Sequence, residues 1–242
     1  MSDSIVKVDK VSKKMGRKMI INETSFVLEK GKIYGFIGPN GAGKTTLMRM
    51  ITGLIEPSGG QIQIDSFDLK KERSQALARI GAIIESPVFF DYMTGKQVLR
   101  NLSRLHPEIS SSDRDAHINK ILKSVGLLER CNDRVKTYSL GMKQRLGIAQ
   151  ALLGNPQLLL LDEPSNGLDP MGMHELRKII FNLRDEKGLT FLVSSHLLDE
   201  LQQMCDQLII LREGTIIWNG KIGEMVSDGR RLEESFIELM QS

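Results

Sequence analysis

Gly38-Pro39-Asn40-Gly41-Ala42-Gly43-Lys44-Thr45-Thr46 is the stretch that decides which fold this sequence predicts. It matches the phosphate-loop pattern G-x-x-x-x-G-K-[ST] at every fixed position. Residues 32–37 before it, which are mostly apolar, are typical of a short buried strand. Apolar residues recur after it at the spacing of one helix face, namely Leu47, Met50, Ile51 and Leu54. The stretch is therefore expected between a strand and a helix N-terminus, where free backbone N–H groups and the helix dipole attract an anion.

The residue types within this phosphate loop, residues 38–46, suit a triphosphate. Gly38, Gly41 and Gly43 carry no Cβ, so the chain can pass close to phosphate oxygens. Lys44 supplies positive charge for the β- and γ-phosphates, and the Thr45 hydroxyl is a ligand for Mg²⁺. A glycine-rich turn that merely contains a lysine is the alternative, and the complete match in a strand–helix frame counts against it. We therefore predict a nucleoside triphosphate site.

The composition is that of an ordinary globular protein. The chain has 242 residues, of which 40% are hydrophobic and 26% are charged, and this length suits one sizeable α/β domain or two small ones. The net charge of +3 argues for neither nucleic acid nor an anionic membrane as an obligatory partner. We expect no membrane-spanning segment and no signal peptide, and we expect Cys131 and Cys205 to be reduced thiols of a cytosolic protein.

Alternating strand-like and helical stretches predict an α/β fold with a mostly parallel sheet. Residues 5–9 and 25–29 are expected to form antiparallel strands joined by a turn at Gly16. The continuous apolar runs 158–161 and 190–194 are typical of central parallel strands.

The stretch between residues 87 and 156 has a different pattern, with polar helices, short turns and no convincing core strand. We predict a single domain over residues 1–242. Residues 1–86 and 157–242 would form the catalytic core with an N-terminal antiparallel β subdomain, and residues 87–156 would form an inserted α-helical subdomain. An amphipathic tail is expected at residues 232–240.

Two carboxylates, Asp162 and Glu163, follow the apolar run 158–161. Ligands of parallel sheets bind outside the carboxyl ends of the strands, so Asp162 is expected to hold Mg²⁺, directly or through a water molecule. Glu163 would orient the water that attacks the γ-phosphate. An acidic pair that caps a following helix is the alternative, since Asp favours such positions. The phosphate loop alone leaves the two interpretations close to even.

Ser139 is predicted at the start of another helix, because apolar residues recur at helical spacing after residue 145. Its hydroxyl and the free N–H groups of the first turn would form a second anion site. From periodicity alone, a plain capped helix is the favoured interpretation.

Taken in order, these motifs resemble the nucleotide-binding subunit of an ABC transporter. The resemblance covers essentially the whole chain, and it rests on the phosphate loop, Ser139-Leu140-Gly141-Met142, Asp162-Glu163-Pro164, Asn166-Gly167-Leu168-Asp169 and His196. It implies a P-loop NTPase core that binds ATP and Mg²⁺ and hydrolyses ATP. It also implies a head-to-tail dimer with two ATP molecules sandwiched between the subunits.

The resemblance implies a role for each matching position. Within one subunit, residues 38–46 would bind the nucleotide, Glu163 would be the catalytic carboxylate and His196 would contact the γ-phosphate. Thr45 and Asp162 would hold the metal. The residues that would act on the ATP of the partner subunit, or at the dimer seam, are Ser139, Leu140, Gly141, Met142 and Asp169.

Three departures from the family's pattern carry predictions. Glu85 stands where a glutamine usually reaches the metal, so a third Mg²⁺ ligand is expected to be a carboxylate. Leu140 and Met142 replace the usual glycine and glutamine, which would loosen the contact with the partner's ATP. Met15 takes the place of an aromatic residue that stacks on adenine, a weaker contact that predicts modest discrimination between ATP and GTP. Glu85-Ser86-Pro87, with the altered signature, resembles the bacitracin and lantibiotic resistance and immunity group.

Three aromatic residues lie close together within residues 88–105, namely Phe89, Phe90 and Tyr92, and Met93 follows them. One interpretation is a small core of the helical subdomain. The other, which follows from the resemblance, is an exposed groove for a cytoplasmic helix of a permease. The sequence favours neither.

The function implied by the resemblance is that of an ATP-hydrolysing motor at the cytoplasmic face of the cell membrane, held there by transmembrane permease subunits. The subgroup implies export of an antimicrobial peptide or drug, or resistance to it. A second ATPase subunit, expected to be another copy of this chain, would complete the dimer, and no nucleic acid partner is expected. A soluble ABC ATPase acting on ribosomes or nucleic acid is the alternative, disfavoured because such chains typically carry two cassettes or a long coiled coil.

Overall fold

The computed structural model describes residues 3–226 and 232–241. The ends of the predicted domain, residues 1, 2 and 242, and residues 227–231 lie outside the described residues. The strands are β1 (Ser4–Met15), β2 (Lys18–Glu29), β3 (Ile33–Ile37), β4 (Gly59–Ile64), β5 (Phe67–Asp68), β6 (Ile80–Ile83), β7 (Leu158–Asp162), β8 (Thr190–Ser194), β9 (Gln207–Arg212) and β10 (Thr215–Lys221). The helices are α1 (Lys44–Ile51), α2 (Arg73–Leu77), α3 (Gly95–Leu102), α4 (Arg114–Ser124), α5 (Leu140–Ala151), α6 (Pro170–Lys187), α7 (Leu198–Met204), α8 (Ile222–Met225) and α9 (Leu232–Gln241).

The central sheet has six strands in the order β10-β9-β3-β8-β7-β6. All neighbours run parallel except β9 and β10, which form an antiparallel hairpin at one edge. Every residue of β3, β7 and β8 is buried, because helices or a second sheet cover both faces, as is usual for parallel strands. The predicted mostly parallel sheet is confirmed.

Successive residues of the central strands supply two separate hydrophobic cores. Leu159 and Leu161 belong to the core on the side of α4, α5 and α6. Leu158 and Leu160 belong to the core between the central sheet, α1 and the N-terminal sheet. Since side chains alternate along a strand, an uninterrupted leucine run fills both cores at once. That is the physical reason why these strands show no polar alternation.

The N-terminal sheet has four antiparallel strands in the order β2-β1-β4-β5. Its first hairpin turns at Gly16, where Met15 pairs with Lys18 and the glycine has a φ of 57°. The antiparallel sheet and its turn are as predicted. Both strands of the hairpin are much longer than the predicted 5–9 and 25–29, since their charged residues face solvent and weaken the apolar signal.

The stretch from residue 87 to residue 156 contains α3, α4, α5 and short 3₁₀ turns. Its described residues form no strand, and one isolated bridge joins Thr94 to Arg134. The placement of helices and turns agrees with the prediction, while the division of the chain at residues 86 and 156 remains a prediction. None of the helices in the described part of the chain is long and apolar enough to cross a membrane.

One predicted helix position is wrong. Leu54 was expected on the apolar face that follows the phosphate loop, but α1 ends at Ile51 and Leu54 is 64% exposed. Gly53, with a φ of 66°, lies between them in the left-handed conformation that commonly ends a helix. The tail predicted at residues 232–240 is confirmed as α9.

Candidate nucleotide-binding site

The phosphate loop connects β3 to α1 as predicted. Steric packing and backbone conformation both explain why it contains glycines. A Cβ at Gly38 would lie 2.1 Å from the Leu211 carbonyl oxygen, and one at Gly43 would lie 2.4 Å from the Ile21 side chain. Gly41 has a φ of 81° and would meet nothing within 4 Å. Packing against the backbone of β9 therefore excludes a Cβ at Gly38. At Gly41 and Gly43 the backbone conformation itself favours glycine, since their φ angles are 81° and 109°.

Lys44 is held inside the loop. Its Nζ donates to the carbonyl oxygens of Gly38, at 2.6 Å, and of Pro39, at 3.3 Å, and the residue is only 7% exposed. Burial lowers the pKa of the ammonium below its usual 10.5, and the nearby carboxylates of Glu163 and Asp162 partly oppose that shift. The loop thus keeps one desolvated positive charge, which phosphate oxygens would stabilise.

Two of the three predicted metal ligands lie together. The Thr45 hydroxyl, in the first turn of α1, donates to Asp162 Oδ2 at 2.8 Å. Asp162 is the last residue of β7 and is buried. Hydroxyl and carboxylate oxygens are the hard ligands that Mg²⁺ takes beside a phosphate, so this donor pair fits that ion.

Glu85, the third predicted ligand, does not join this pair in the structure. It has a φ of 73°, and its exposed side chain forms an ion pair with Arg49 of α1. Its negative charge is therefore offset within the chain, rather than by a metal alone. Whether it also reaches a bound metal stays a prediction.

Glu163 and His196, far apart in sequence, meet at the carboxyl ends of β7 and β8. The distance from His196 Nδ1 to Glu163 Oε2 is 2.7 Å, and His196 is exposed. Glu163 has a φ of 47°, a left-handed conformation uncommon for a residue with a side chain. Its position just after Asp162 puts this carboxylate beside the two metal-ligand candidates and next to Lys44.

Two further sets of residues around this site were not predicted from the sequence. Ser194, at the end of β8, donates to Asp162 Oδ1 at 2.5 Å. Gly214, in the turn between β9 and β10, donates from its N–H to the Ala42 carbonyl oxygen at 2.9 Å, and Asn22 of β2 donates to the Glu213 carbonyl oxygen. A polar residue at the end of an apolar strand is a sequence signal that could have pointed to Ser194. The contact between Asn22 and Glu213 joins residues far apart in the chain, and no local sequence pattern predicts it.

Ser139 and Asp169 are both helix caps on one face of the molecule. Ser139 accepts from the Met142 N–H at 3.2 Å at the start of α5, and Asp169 accepts from the Gly172 N–H at 2.9 Å at the start of α6. The Leu140 side chain lies against Gly167, in the loop that leads to Asp169, and is half exposed. Within the described residues, no hydrogen bond joins this face to the phosphate loop.

Met15 ends β1 and is 45% exposed. It lies at the turn end of the hairpin whose second strand contacts the loop through Ile21 and Gly43. The remaining loop residues, Pro39, Asn40, Ala42 and Thr46, lie between or beside the groups described above. The predicted contact of Met15 with a base stays a prediction.

The profile of the ABC transporter family matches residues 21–166, which include the phosphate loop, Ser139 and both carboxylates that follow β7. The chain belongs to the ABC transporter family. It is an ATP-binding subunit of that family, and its enzymatic activity is ATP hydrolysis.

Relatives of this ABC subunit include proteins named for peptide antibiotics. The bacitracin transport ATP-binding protein BcrA of Bacillus licheniformis is 41% identical over 214 residues, which is 88% of this chain and 69% of the relative. The lantibiotic transport ATP-binding protein SrtF of Streptococcus pyogenes is 39% identical over 213 residues, 88% of this chain and 89% of the relative. YdbJ of Bacillus subtilis, an uncharacterized ABC transporter ATP-binding protein, is 43% identical over 216 residues, 89% of this chain and 69% of the relative.

The fold of the ABC subunit matches a solved structure along nearly its whole length. An ATP-binding subunit of an ABC transporter superposes with a TM-score of 0.85 at 29% identity, covering 98% of this chain and all of that chain. The predicted ABC ATP-binding subunit, its fold and its similarity to the bacitracin and lantibiotic group are therefore confirmed.

Proposed function

We propose that this ABC subunit hydrolyses Mg-ATP to drive export of an antimicrobial peptide or drug, or its removal from the membrane, through a permease. The observation that carries the chemistry is the juxtaposition of two pairs, Thr45 with Asp162 and Glu163 with His196, beside a buried lysine. The names of BcrA and SrtF support the choice of cargo class.

In this proposal the chain's own groups position the triphosphate and the attacking water. Lys44 and the loop N–H groups bind phosphate oxygens, replacing the carbonyl contacts that Lys44 now makes. Thr45 and Asp162 would hold Mg²⁺, which neutralises charge on the phosphate oxygens when bound. Glu163 accepts the proton of the attacking water, and His196 orients Glu163 through the bond to Oε2.

A second copy of the chain completes the site in this proposal. The first turn of α5, residues Ser139 to Met142, would present its N–H groups to the γ-phosphate bound by the partner, and Asp169 would lie at the seam. The exposed caps on a face separate from the phosphate loop support action in trans. Closure and ATP binding are then one event, and loss of the γ-phosphate opens the dimer.

The permease would dock at the aromatic cluster, which the structure divides into two parts. Phe89 and Met93 pack against the hydrophobic core. Phe90 and Tyr92 are 65% and 69% exposed, with ring centroids 5.5 Å apart, and Val88 is also exposed. An exposed aromatic pair beside a fully exposed valine supports a protein contact. Such a contact would hold the subunit at the cytoplasmic face of the membrane.

The test is capture of the tagged Glu163→Gln chain from native membranes with Mg-ATP, followed by identification of its partners. The proposal expects a polytopic membrane protein. A matched bait that also carries Phe90→Ala and Tyr92→Ala should lose that partner while it still binds ATP. Recovery of ribosomes or nucleic acid with both baits would overturn the proposal in favour of a soluble ABC ATPase.

A further inference from the structure

Ser194 is the last residue of β8, and the register of the sheet pairs it with Asp162, the last residue of β7. It has no exposed surface. Polar groups at such depth are stable only when they are hydrogen-bonded, so its partners identify what the serine does. Both partners are in the acidic segment that follows β7.

The Ser194 hydroxyl uses both its donor and its acceptor capacity there. It donates to Asp162 Oδ1 at 2.5 Å and accepts from the Glu163 N–H at 2.8 Å. The other oxygen of Asp162, Oδ2, accepts from Thr45. The Asp162 carboxylate is thus fixed from both sides, by α1 through one oxygen and by β8 through the other.

The second bond acts on a strained backbone. Glu163 has a φ of 47°, which costs a residue with a Cβ roughly 1–2 kcal/mol. A hydrogen bond to the peptide N–H of that same residue supports this conformation, and the conformation sets the direction of the Glu163 side chain toward His196. One hydroxyl therefore orients the two acidic residues that the proposed function places at the metal and at the attacking water.

We infer that Ser194 is a positioning residue for ATP hydrolysis, which holds the Asp162 carboxylate and the Glu163 peptide in their working geometry without touching the nucleotide. This inference rests on the proposed function, since it assumes the roles given there to Asp162 and Glu163. The inference predicts different effects on nucleotide binding and on turnover. Nucleotide binding depends on the phosphate loop and survives loss of the hydroxyl, whereas turnover depends on the carboxylates and falls.

The test compares Ser194→Thr with Ser194→Val, because the two side chains have the same shape and only threonine keeps the hydroxyl. We expect the valine variant to turn over ATP about 10- to 100-fold more slowly than the threonine variant, the range typical of groups that orient metal ligands. The dissociation constant for ADP should be equal in the two variants. Amide hydrogen exchange at Glu163 should be faster in the valine variant.

Ser103→Ala is the matched control, since Ser103 is also fully buried and its hydroxyl donates to the Arg100 carbonyl oxygen in the helical region. Its turnover should equal that of the parent chain. If the added methyl groups do not fit, Ser194→Ala replaces the valine variant.

Equal turnover of correctly folded threonine and valine variants would overturn the inference, and so would equal turnover of Ser194→Ala and the parent chain where the methyl groups do not fit. Unfolding of Ser194→Ala under conditions where Ser103→Ala stays folded would also overturn it, because the serine would then serve stability alone. Absence of ATP hydrolysis in the parent chain, both alone and with its membrane partner, would instead remove the proposed function.

Discussion

Lys44 is a cation that the folded chain holds against the carbonyl oxygens of Gly38 and Pro39, largely out of water. Burial favours the neutral amine, so the pKa of Lys44 lies below the 10.5 of an ordinary lysine. The charge that attracts phosphate is consequently lost at a lower pH than in a surface lysine. Bound phosphate favours the charged ammonium, so Lys44 takes up a proton from solvent when the phosphate binds.

The lowered pKa of Lys44 predicts that ATP binding depends on pH. As pH rises toward 10.5, Lys44 loses its proton in the nucleotide-free protein at a lower pH than in the ATP-bound protein. ATP binding must then include uptake of a proton by Lys44, so the dissociation constant for ATP increases with pH. Lys44→Arg should bind ATP more weakly at neutral pH because the fork of guanidinium nitrogens fits the loop less well. Its affinity should stay flat over the same alkaline range. Fluorescence titration with ATP measures both. An equal alkaline decline in the two proteins would contradict the role of Lys44.

Glu163 is the proposed proton acceptor for the attacking water. Glu163→Gln keeps the size of the side chain and can still hydrogen-bond to His196, but its amide cannot accept a proton. Turnover should fall by roughly 10²–10⁴-fold, as expected on loss of a general base, with the dissociation constant for ATP unchanged. The measurement is steady-state phosphate release beside equilibrium binding. Glu129→Gln, at an exposed carboxylate of the helical region, is the matched control and should behave as the parent chain.

The turn between β9 and β10 supports the phosphate loop. Gly214 donates to the Ala42 carbonyl oxygen and accepts from the Asn22 N–H, so the turn links β2 to the loop. The turn is tightly packed, since a Cβ at Gly214 would lie 2.3 Å from the Ile20 carbonyl oxygen. Because this contact is with a backbone atom, no side-chain rotation can relieve the clash.

Gly214→Ala should therefore destabilise the fold and weaken ATP binding together. Gly16→Ala is the matched control, because Gly16 also has a left-handed φ of 57° but a Cβ there would meet nothing within 4 Å. The control should cost about 1–2 kcal/mol of unfolding free energy for the conformation alone. The Gly214 variant should lose clearly more in urea unfolding and show a higher dissociation constant for ATP. Equal losses in both would mean that the turn does not support the loop.

Elements marked by continuous apolar runs or by glycine and lysine patterns were predictable from the sequence. The leucine run of β7 and the phosphate loop are examples, because their local composition has few other structural solutions. The full length of β1 and β2 was not, since half of their residues face solvent. The partners of Glu85 and Ser194 were not predictable either. A polar residue at the end of an apolar strand marks Ser194 as a candidate, but only the folded sheet brings it to Asp162, and only the folded chain brings Glu85 to Arg49.

The face of the molecule that carries Ser139 and Asp169 is more apolar than helix caps alone require. Leu140 is 51% exposed and Met171, in the first turn of α6, is 65% exposed. Both side chains line the same surface depression as Asp169. Burying them against a second copy would favour closure, with an apolar side chain at position 140, where glycine is usual in the family.

Leu140→Glu should consequently weaken dimer formation. The experiment uses the Glu163→Gln background, where bound ATP is hydrolysed only slowly. With Mg-ATP, the Glu163→Gln chain should form dimers, and the chain that carries both Glu163→Gln and Leu140→Glu should remain monomeric. Size-exclusion chromatography with light scattering measures both. Leu54→Glu makes the same change at a leucine that is 64% exposed beyond α1, and it should dimerise normally. Dimers of unchanged stability with Leu140→Glu would exclude this face from the interface.

The ion pair between Arg49 and Glu85 links the helix that follows the phosphate loop to the segment that leads to the proposed permease contact. Lys44 begins α1, Arg49 lies five residues further along the same rigid rod, and Glu85 leads within a few residues to Val88 and Phe90. At about 1.5 Å of rise per residue, that rod spans only about 8 Å between the two cations. A movement of α1 toward the triphosphate would thus be transmitted, through this single ion pair, to the segment that carries the exposed aromatic pair.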